Sequence, residues 1–374
     1  MEAWIGANDI TPFQWSRDAR AIGPIATAKD GRMMGPTGMK NPNRHLLATL
    51  SVVLGLVVLT ASAIVAQRAS GSAAAKASWT QPRMPWGDPD LEGVWTSDNN
   101  FSIPLERPVA FASKEFLEGK DLEDELARRA RRIEGVRVGG EVGSGPPHWY
   151  ENLAAKSQRS SLIIDPPDGR LPALTDEGKR RVAAADAYRK SRGPSDSWED
   201  RSLWDRCITV GLPAVMVPTG YNNNVQILQA PGYVTITHEM MHDARIIPLD
   251  GRPHVSSRIR GYYGDSRAHW EGTTLVVDVT NFNRKVNLGH MSSNRPTGEN
   301  FHIIERYKRV GPDEVRYEVT IDDPTMYVRP WTIVLDLAAQ KEMYEYACHE
   351  GNRGLENILR AARLDEAAGV KPAQ

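Results

Sequence analysis

Five consecutive residues, His238-Glu239-Met240-Met241-His242, spell the zincin metalloprotease pattern letter for letter. That chemistry needs a helix, where residues four apart share a face, so that both imidazoles reach one zinc ion and the glutamate activates its water. The flanks read as strands instead: Tyr233 to Thr237 is β-branched and alternating, and Ala244 to Leu249 is a second such run. On an extended strand two residues four apart share a face but stand about 13 Å apart, too far for one ion. Pro248 and Asp250-Gly251 leave no length for a helix beyond. The pentapeptide is therefore expected at a turn, with His238 and His242 kept as candidates for a metal site of another geometry.

A second set of chemical residues lies in Asp250-Gly251-Arg252-Pro253-His254 and Gly264-Asp265-Ser266-Arg267. Asp-Gly supplies positive φ and Pro253 forbids a central-strand position, so the first stretch is a turn. At one mouth of a barrel, Asp250 or Asp265 could orient His254 as a general base, with Arg245, Arg252 and Arg267 holding a ligand. The alternative is a hydrogen-bonded turn in which Arg252 satisfies carbonyls and carboxylates, since structural ion-pair networks imitate active sites. A third set, Tyr344-Glu345-Tyr346-Ala347-Cys348-His349-Glu350-Gly351-Asn352, crowds polar groups where the chain leaves its last strand. These line a pocket, with His349 catalytic and Glu350 on the ligand, or they cap the helix patterned from Leu355 to Glu366. Neighbours on a strand point to opposite faces, so Cys348 and His349 do not form a thiol–imidazole pair.

The elements that must position these residues read as strands. Val225 to Gln229, Tyr233 to His238, Ala244 to Leu249, Val255 to Tyr263, Thr274 to Val279, Phe301 to Arg309, Val315 to Ile321, Val328 to Leu337 and Glu342 to Ala347 are β-branched or aromatic runs. Turn residues split them at intervals of about eight to twelve positions. Gly311-Pro312-Asp313 and Trp270-Glu271-Gly272 are short enough for hairpins, so neighbours should pair antiparallel. About nine strands in a meander favour a closed barrel or a strongly curled sheet, because closure removes exposed edges. Upstream, Leu91 to Ser97 is a short extended candidate in Pro-, Gly- and Trp-rich coil. Ser113 can cap a helix through Phe116 and Leu117 that continues from Leu122 to Ile133, and Leu174 to Arg192 is a second helix opened by Thr175. The pairs Arg128-Arg129 and Arg131-Arg132 read as a solvated face. Gly135 to Pro147 lacks the GK[ST] ending of a phosphate cradle and reads as a linker.

The uncharged run from Leu46 to Ala66 sets the compartment. Lys40 and Arg44 precede it, behind Met39, and it closes on Ala63-Ile64-Val65-Ala66, the anatomy of a secretory signal. Met39 is the expected start, and the mature chain is expected to begin near Gln67 in the periplasm or outside the cell. The alternative is an inner-membrane anchor formed by residues 46–66, since about 20 apolar residues can span a bilayer. Export would place both cysteines, Cys207 and Cys348, in an oxidising compartment, so a single long-range disulfide is expected rather than two buried thiols. With 46 basic and 47 acidic residues and no basic stripe interleaved with aromatics, nucleic acid is excluded as a partner. The chain thus divides into a leader (1–38), a signal or anchor (39–66), a linker with a first strand (67–110), a helical extension (111–200), an antiparallel β core (201–352) and a C-terminal helix and tail (353–374).

Two resemblances add to this. Gly93-Val94-Trp95 ahead of an antiparallel meander resembles the Gly-x-Trp opening of lipocalin-type barrels, which implies a tryptophan plugging the barrel floor. The stretch from Arg206-Cys207 to Asn352 resembles a family of exported proteins of soil and environmental bacteria, through Ile246-Ile247-Pro248-Leu249-Asp250-Gly251-Arg252-Pro253-His254, Gly264-Asp265-Ser266-Arg267, Trp270-Glu271-Gly272, Thr280-Asn281-Phe282, Glu305-Arg306, Asp323-Pro324, Pro330-Trp331 and Tyr344 to Asn352. That resemblance implies export and one domain, and it supplies no catalytic residues. The expected fold is mainly β: an antiparallel lipocalin-like β-barrel or strongly curled sheet with peripheral helices. The expected function is recognition of a small, largely apolar molecule in a barrel cavity, with acid/base transformation in play because so many His, Asp and Arg residues exceed what a passive carrier needs. The alternatives are a metal-dependent hydrolase using His238 and His242, and a non-catalytic cell-envelope module. No motif names a cofactor. The membrane is a partner only through the N-terminal segment, if that segment is uncleaved.

Overall fold

Val315, Tyr317, Val319 and Ile321 are fully buried, while Arg316, Glu318 and Thr320 between them are only half-buried. That period of two belongs to a strand with one face on a core, and it recurs through the second half of the chain. The computed structural model describes residues 79–138, 153–154, 156–283, 285–292, 295–351 and 353–370. The leader, the apolar run 46–66 and most of the glycine-rich linker lie outside them. The described residues form ten strands: β1 (Gly93–Thr96), β2 (Ile163–Asp165), β3 (Asn224–Ala230), β4 (Tyr233–His238), β5 (Ala244–Pro248), β6 (Asp265–Glu271), β7 (Thr274–Thr280), β8 (His302–Gly311), β9 (Glu314–Asp322) and β10 (Trp331–Gln340). Three α-helices accompany them: α1 (Gly119–Val138), α2 (Asp176–Ser191) and α3 (Gly354–Ala367). Among the described residues no helix is long and apolar enough to cross a membrane.

All ladders are antiparallel, in the order β5-β4-β3-β1-β10-β9-β8-β7-β6, with β2 added beside β10. Tight turns set the register: Gly232 (φ 80°) joins β3 to β4 and Gly272 (φ 62°) joins β6 to β7. Of the two expected forms, the sheet takes the curled one. β5 and β6 run close together, but no ladder of hydrogen bonds joins them. The curl is deep, because Arg245 on β5 bonds Glu305 on β8 at 2.5 Å, although a flat sheet would hold strands six steps apart at about 29 Å. Trp95, Trp331, Leu275, Val277 and Ile333 fill the inside, so side chains occupy the space in which a barrel cavity was expected.

Several expected elements differ. Residues 255–263 form turns, and the strand lies beyond them, at Asp265–Glu271. Residues 342–347 are irregular, because the buried Glu239 carboxylate claims the Tyr344 N–H. Helix α1 starts at Gly119 rather than behind Ser113, since Phe116 bridges to Arg159. Arg129 is no part of a solvated face: it is 1 % exposed, bonded to Glu125 and to the carbonyls of Ser157 and Arg159. Helix α2 is capped as expected by the Thr175 hydroxyl, which accepts from Gly178 N–H at 2.9 Å. Cys207 and Cys348 are joined in a disulfide, with Cα atoms 5.7 Å apart.

Candidate functional site

The zincin letters sit at a turn. After β4, Met240–His242 make one short helical turn broken by Met241 at φ 64° and followed by His242 at φ 44°. His238 shares the inward parity of Val234 and Ile236 and is buried. Its ring stacks on Tyr263 with centroids 5.8 Å apart, and burial, helped by the nearby Arg245 charge, pushes its pKa well below the usual histidine value. His242 is exposed, with Nδ1 3.0 Å from the Tyr346 carbonyl. Glu239 is buried between two backbone donors, Asn224 N–H and Tyr344 N–H, and burial raises its pKa. It ties the turn to the C-terminal leg of the chain rather than serving a metal-bound water. Among the described residues no group of three or more His, Cys, Asp or Glu side chains is arranged to hold a metal ion.

Arg245 does not face a ligand at the surface. Its guanidinium lies inside the curled sheet and grips Glu305 with two bonds of 2.5 and 3.1 Å. The hydroxyls of Tyr307 and Tyr317 donate to the same Glu305 oxygen at 2.9 and 3.0 Å. Burial raises both tyrosine pKa values far above the usual range, which keeps those donors protonated. Burial opposes the Arg245 charge, but Glu305 more than restores it. This quartet is a polar lock across the interior, with only the Arg245 Nε left without a partner in it.

The accessible chemistry lies on the opposite face of the sheet. Residues 249–264 fold back so that His254 meets β6 and β7: Nδ1 is 2.7 Å from Asp265 Oδ2, and Nε2 is 2.7 Å from Asp278 Oδ1. Arg267 donates to the other Asp265 oxygen at 2.8 Å. Asp278 lies across from Arg267 in the β6–β7 register, with its side chain on the face opposite Val277 and Val279. His302, opening β8, sets Nε2 2.9 Å from Asp278 Oδ2. A carboxylate only accepts, so Nε2 carries the proton and Nδ1 of His302 is left without a partner among the described residues. The hydrogen bond from His302 lowers the Asp278 pKa, and Asp278 in turn raises that of His302. The result is a continuous row, Arg267–Asp265–His254–Asp278–His302, with its imidazoles about one-quarter exposed.

Asp250 and Arg252 form a local exposed pair that also reaches the Tyr233 hydroxyl, and Arg252 holds the Asp250 pKa at about 2. They do not join the row. His349 and Glu350 stand exposed on the turn after Cys348, and no hydrogen bond or ion pair among the described residues ties them to His254 or Asp265. Asp278, His302, Tyr307 and Tyr317 carry no site role in the sequence reading, and Glu305 enters it only through the resemblance. The signal was there: Asp278 interrupts the apolar run from Leu275 to Val279, and Glu305 shares the inward parity of Ile303 and Tyr307.

No protein-family profile matches the chain. No curated protein matches it. Among solved structures, a secretary abundant heat soluble protein from Ramazzottius varieornatus is similar over 37 % of this chain and 86 % of its own, at 14 % identity and a TM-score of 0.20, a likeness from which nothing is argued.

Proposed function

We propose that this is an exported protein that performs acid/base chemistry on a small molecule, with His302 moving the proton and Asp278 orienting it. One observation carries the reading: His302 is anchored through Nε2 on a carboxylate that is itself fixed on its other side, while its Nδ1 is unpaired and the ring is partly open to solvent. That is the base-and-orienter geometry of general acid/base sites. His254 bonds carboxylates through both nitrogens, so it positions Asp278 and is not the base. In hydrolysis, Nδ1 of His302 would take a proton from water as the oxygen attacks a carbonyl, then return it to the leaving group. Export to the periplasm or medium rests on the Leu46 to Ala66 run and on the resemblance to exported bacterial proteins, and the disulfide is compatible with it.

The test is a panel of small esters, lactones and epoxides with product detection by mass spectrometry. Turnover should fall about 10²- to 10⁴-fold in His302→Gln while the fold is kept, and Asp278→Asn should shift the pH profile. An absence of turnover across the panel, or full activity in His302→Gln, would refute the reading. Intact mass of the exported protein should show a chain beginning near Gln67, and retention of residues 46–66 would show an anchor instead.

A second reading has its own observation. Because His254 is satisfied on both sides and Val255 N–H also bonds Asp265, the row can serve to hold residues 249–264 on the sheet. In that case His302→Gln lowers stability and changes no chemistry.

A further inference from the structure

A cleft of about 110 Å³ that none of the row's residues lines lies between the segment 202–211 and the loop 286–290. Its walls are Leu203, Trp204, Val210 and Val286, with Ser202, Thr209, Asn287 and His290 as the polar contributions. No Asp, Glu, Lys or Arg lines it, so a charged ligand would be desolvated there without a counter-charge, a large cost. The volume is several times what one water needs and well under the roughly 300 Å³ at which pockets for drug-sized ligands begin. That leaves room for about one ring. The Trp204 and His290 rings, 6.0 Å apart and inclined at 55°, offer flat apolar surfaces to it.

His290 fixes the polarity of the ligand. Its Nε2 lies 3.1 Å from the Val217 carbonyl, and a carbonyl only accepts, so Nε2 carries the proton. His290 is exposed to solvent, although desolvation by the protein around its ring lowers its pKa from the usual histidine value. Nδ1 is then an acceptor, with no partner among the described residues.

We infer that this cleft binds a small uncharged aromatic or alicyclic molecule bearing a hydrogen-bond donor, which it gives to His290, and that the Cys207–Cys348 disulfide assembles the site. Cys207 lies in the middle of the 202–211 wall, and that wall is tied to the C-terminal leg twice, through the disulfide and through the Trp204 indole N–H bonding the Tyr346 hydroxyl at 3.3 Å. Reduction removes the stronger tie. The Trp204 ring then loses its fixed distance from His290.

The experiment is calorimetric titration of the oxidised full-length protein with phenol, anisole and benzoate. Phenol should bind about five- to tenfold more tightly than anisole, the worth of one hydrogen bond, and benzoate should not bind. His290→Phe keeps a flat ring and removes the acceptor, so it should erase the phenol preference while leaving anisole binding in place. Reduction, or the Cys207→Ser/Cys348→Ser pair, should weaken both ligands. Equal affinity for phenol and anisole in the parent protein overturns the donor requirement, and so does a phenol preference that survives in His290→Phe. Absence of binding by either overturns the site, and binding indifferent to reduction overturns the role of the disulfide. The comparison within the parent protein decides the matter even if the His290 variant does not fold.

Discussion

At the scale of single residues, the buried pair Arg245 and Glu305 is the place where one atom matters most. Both side chains are almost wholly enclosed, so removing one leaves an uncompensated charge inside the sheet. Glu305→Gln or Arg245→Met should cost about 3–5 kcal/mol in urea unfolding, and the double replacement by apolar residues should recover much of it. Histidine titration should shape stability in two opposed ways. The His302 pKa is raised by Asp278, so its contribution is complete below the unfolded value near 6.5 and is lost as pH climbs through the folded value. His238 is depressed by burial, so its neutral state favours folding above about 6.5, and that advantage is lost as pH falls below it. Asp278, lowered by His302, adds a loss toward and below about pH 4. Thermal unfolding across pH should therefore peak near about 6.5, and His302→Asn should flatten the alkaline side while His238→Phe flattens the acidic one.

At the scale of elements, helix α2 docks through a residue with no side chain. A Cβ on Gly178 would run into the Met326 carbonyl, so Gly178→Ala should destabilise by about 1–3 kcal/mol despite its better helix propensity, as thermal denaturation would show. The strands with a clean period of two were legible from sequence: β3, β4, β5, β7, β8 and β9 lie where alternation places them. β6 was hidden because Asp265, Ser266, Arg267 and His269 carry charge or polarity along an edge strand whose only fully buried residue is Ala268. The stretch from Val255 to Tyr263 carried strand-like letters but not strand-like burial, with Ile259 63 % exposed. The candidate site was half legible. Turn chemistry brought His254 and Asp265 forward, whereas Asp278 and His302 sit on strands where a lone polar residue reads as a solvated position, and only the pairing of β6, β7 and β8 shows them meeting.

At the scale of the whole molecule, the disulfide joins the segment between β2 and β3 to the leg after the last strand. Reduction under native conditions should lower stability by about 2–5 kcal/mol, read as a fall in the urea midpoint, and a protein indifferent to reductant would contradict that estimate. The sheet has a further property that its strand order alone decides. β1 is the first of the described strands in chain order and yet lies near the centre of the sheet, between β3 and β10, with Val94 opposite Gln340. A growing chain must therefore wait for β10, the last of the described strands, before the middle of this sheet can be completed. Contacts so distant in sequence make for slow folding, and they leave apolar strand edges open to unwanted partners meanwhile. Refolding from denaturant should therefore be slow, running in seconds rather than milliseconds.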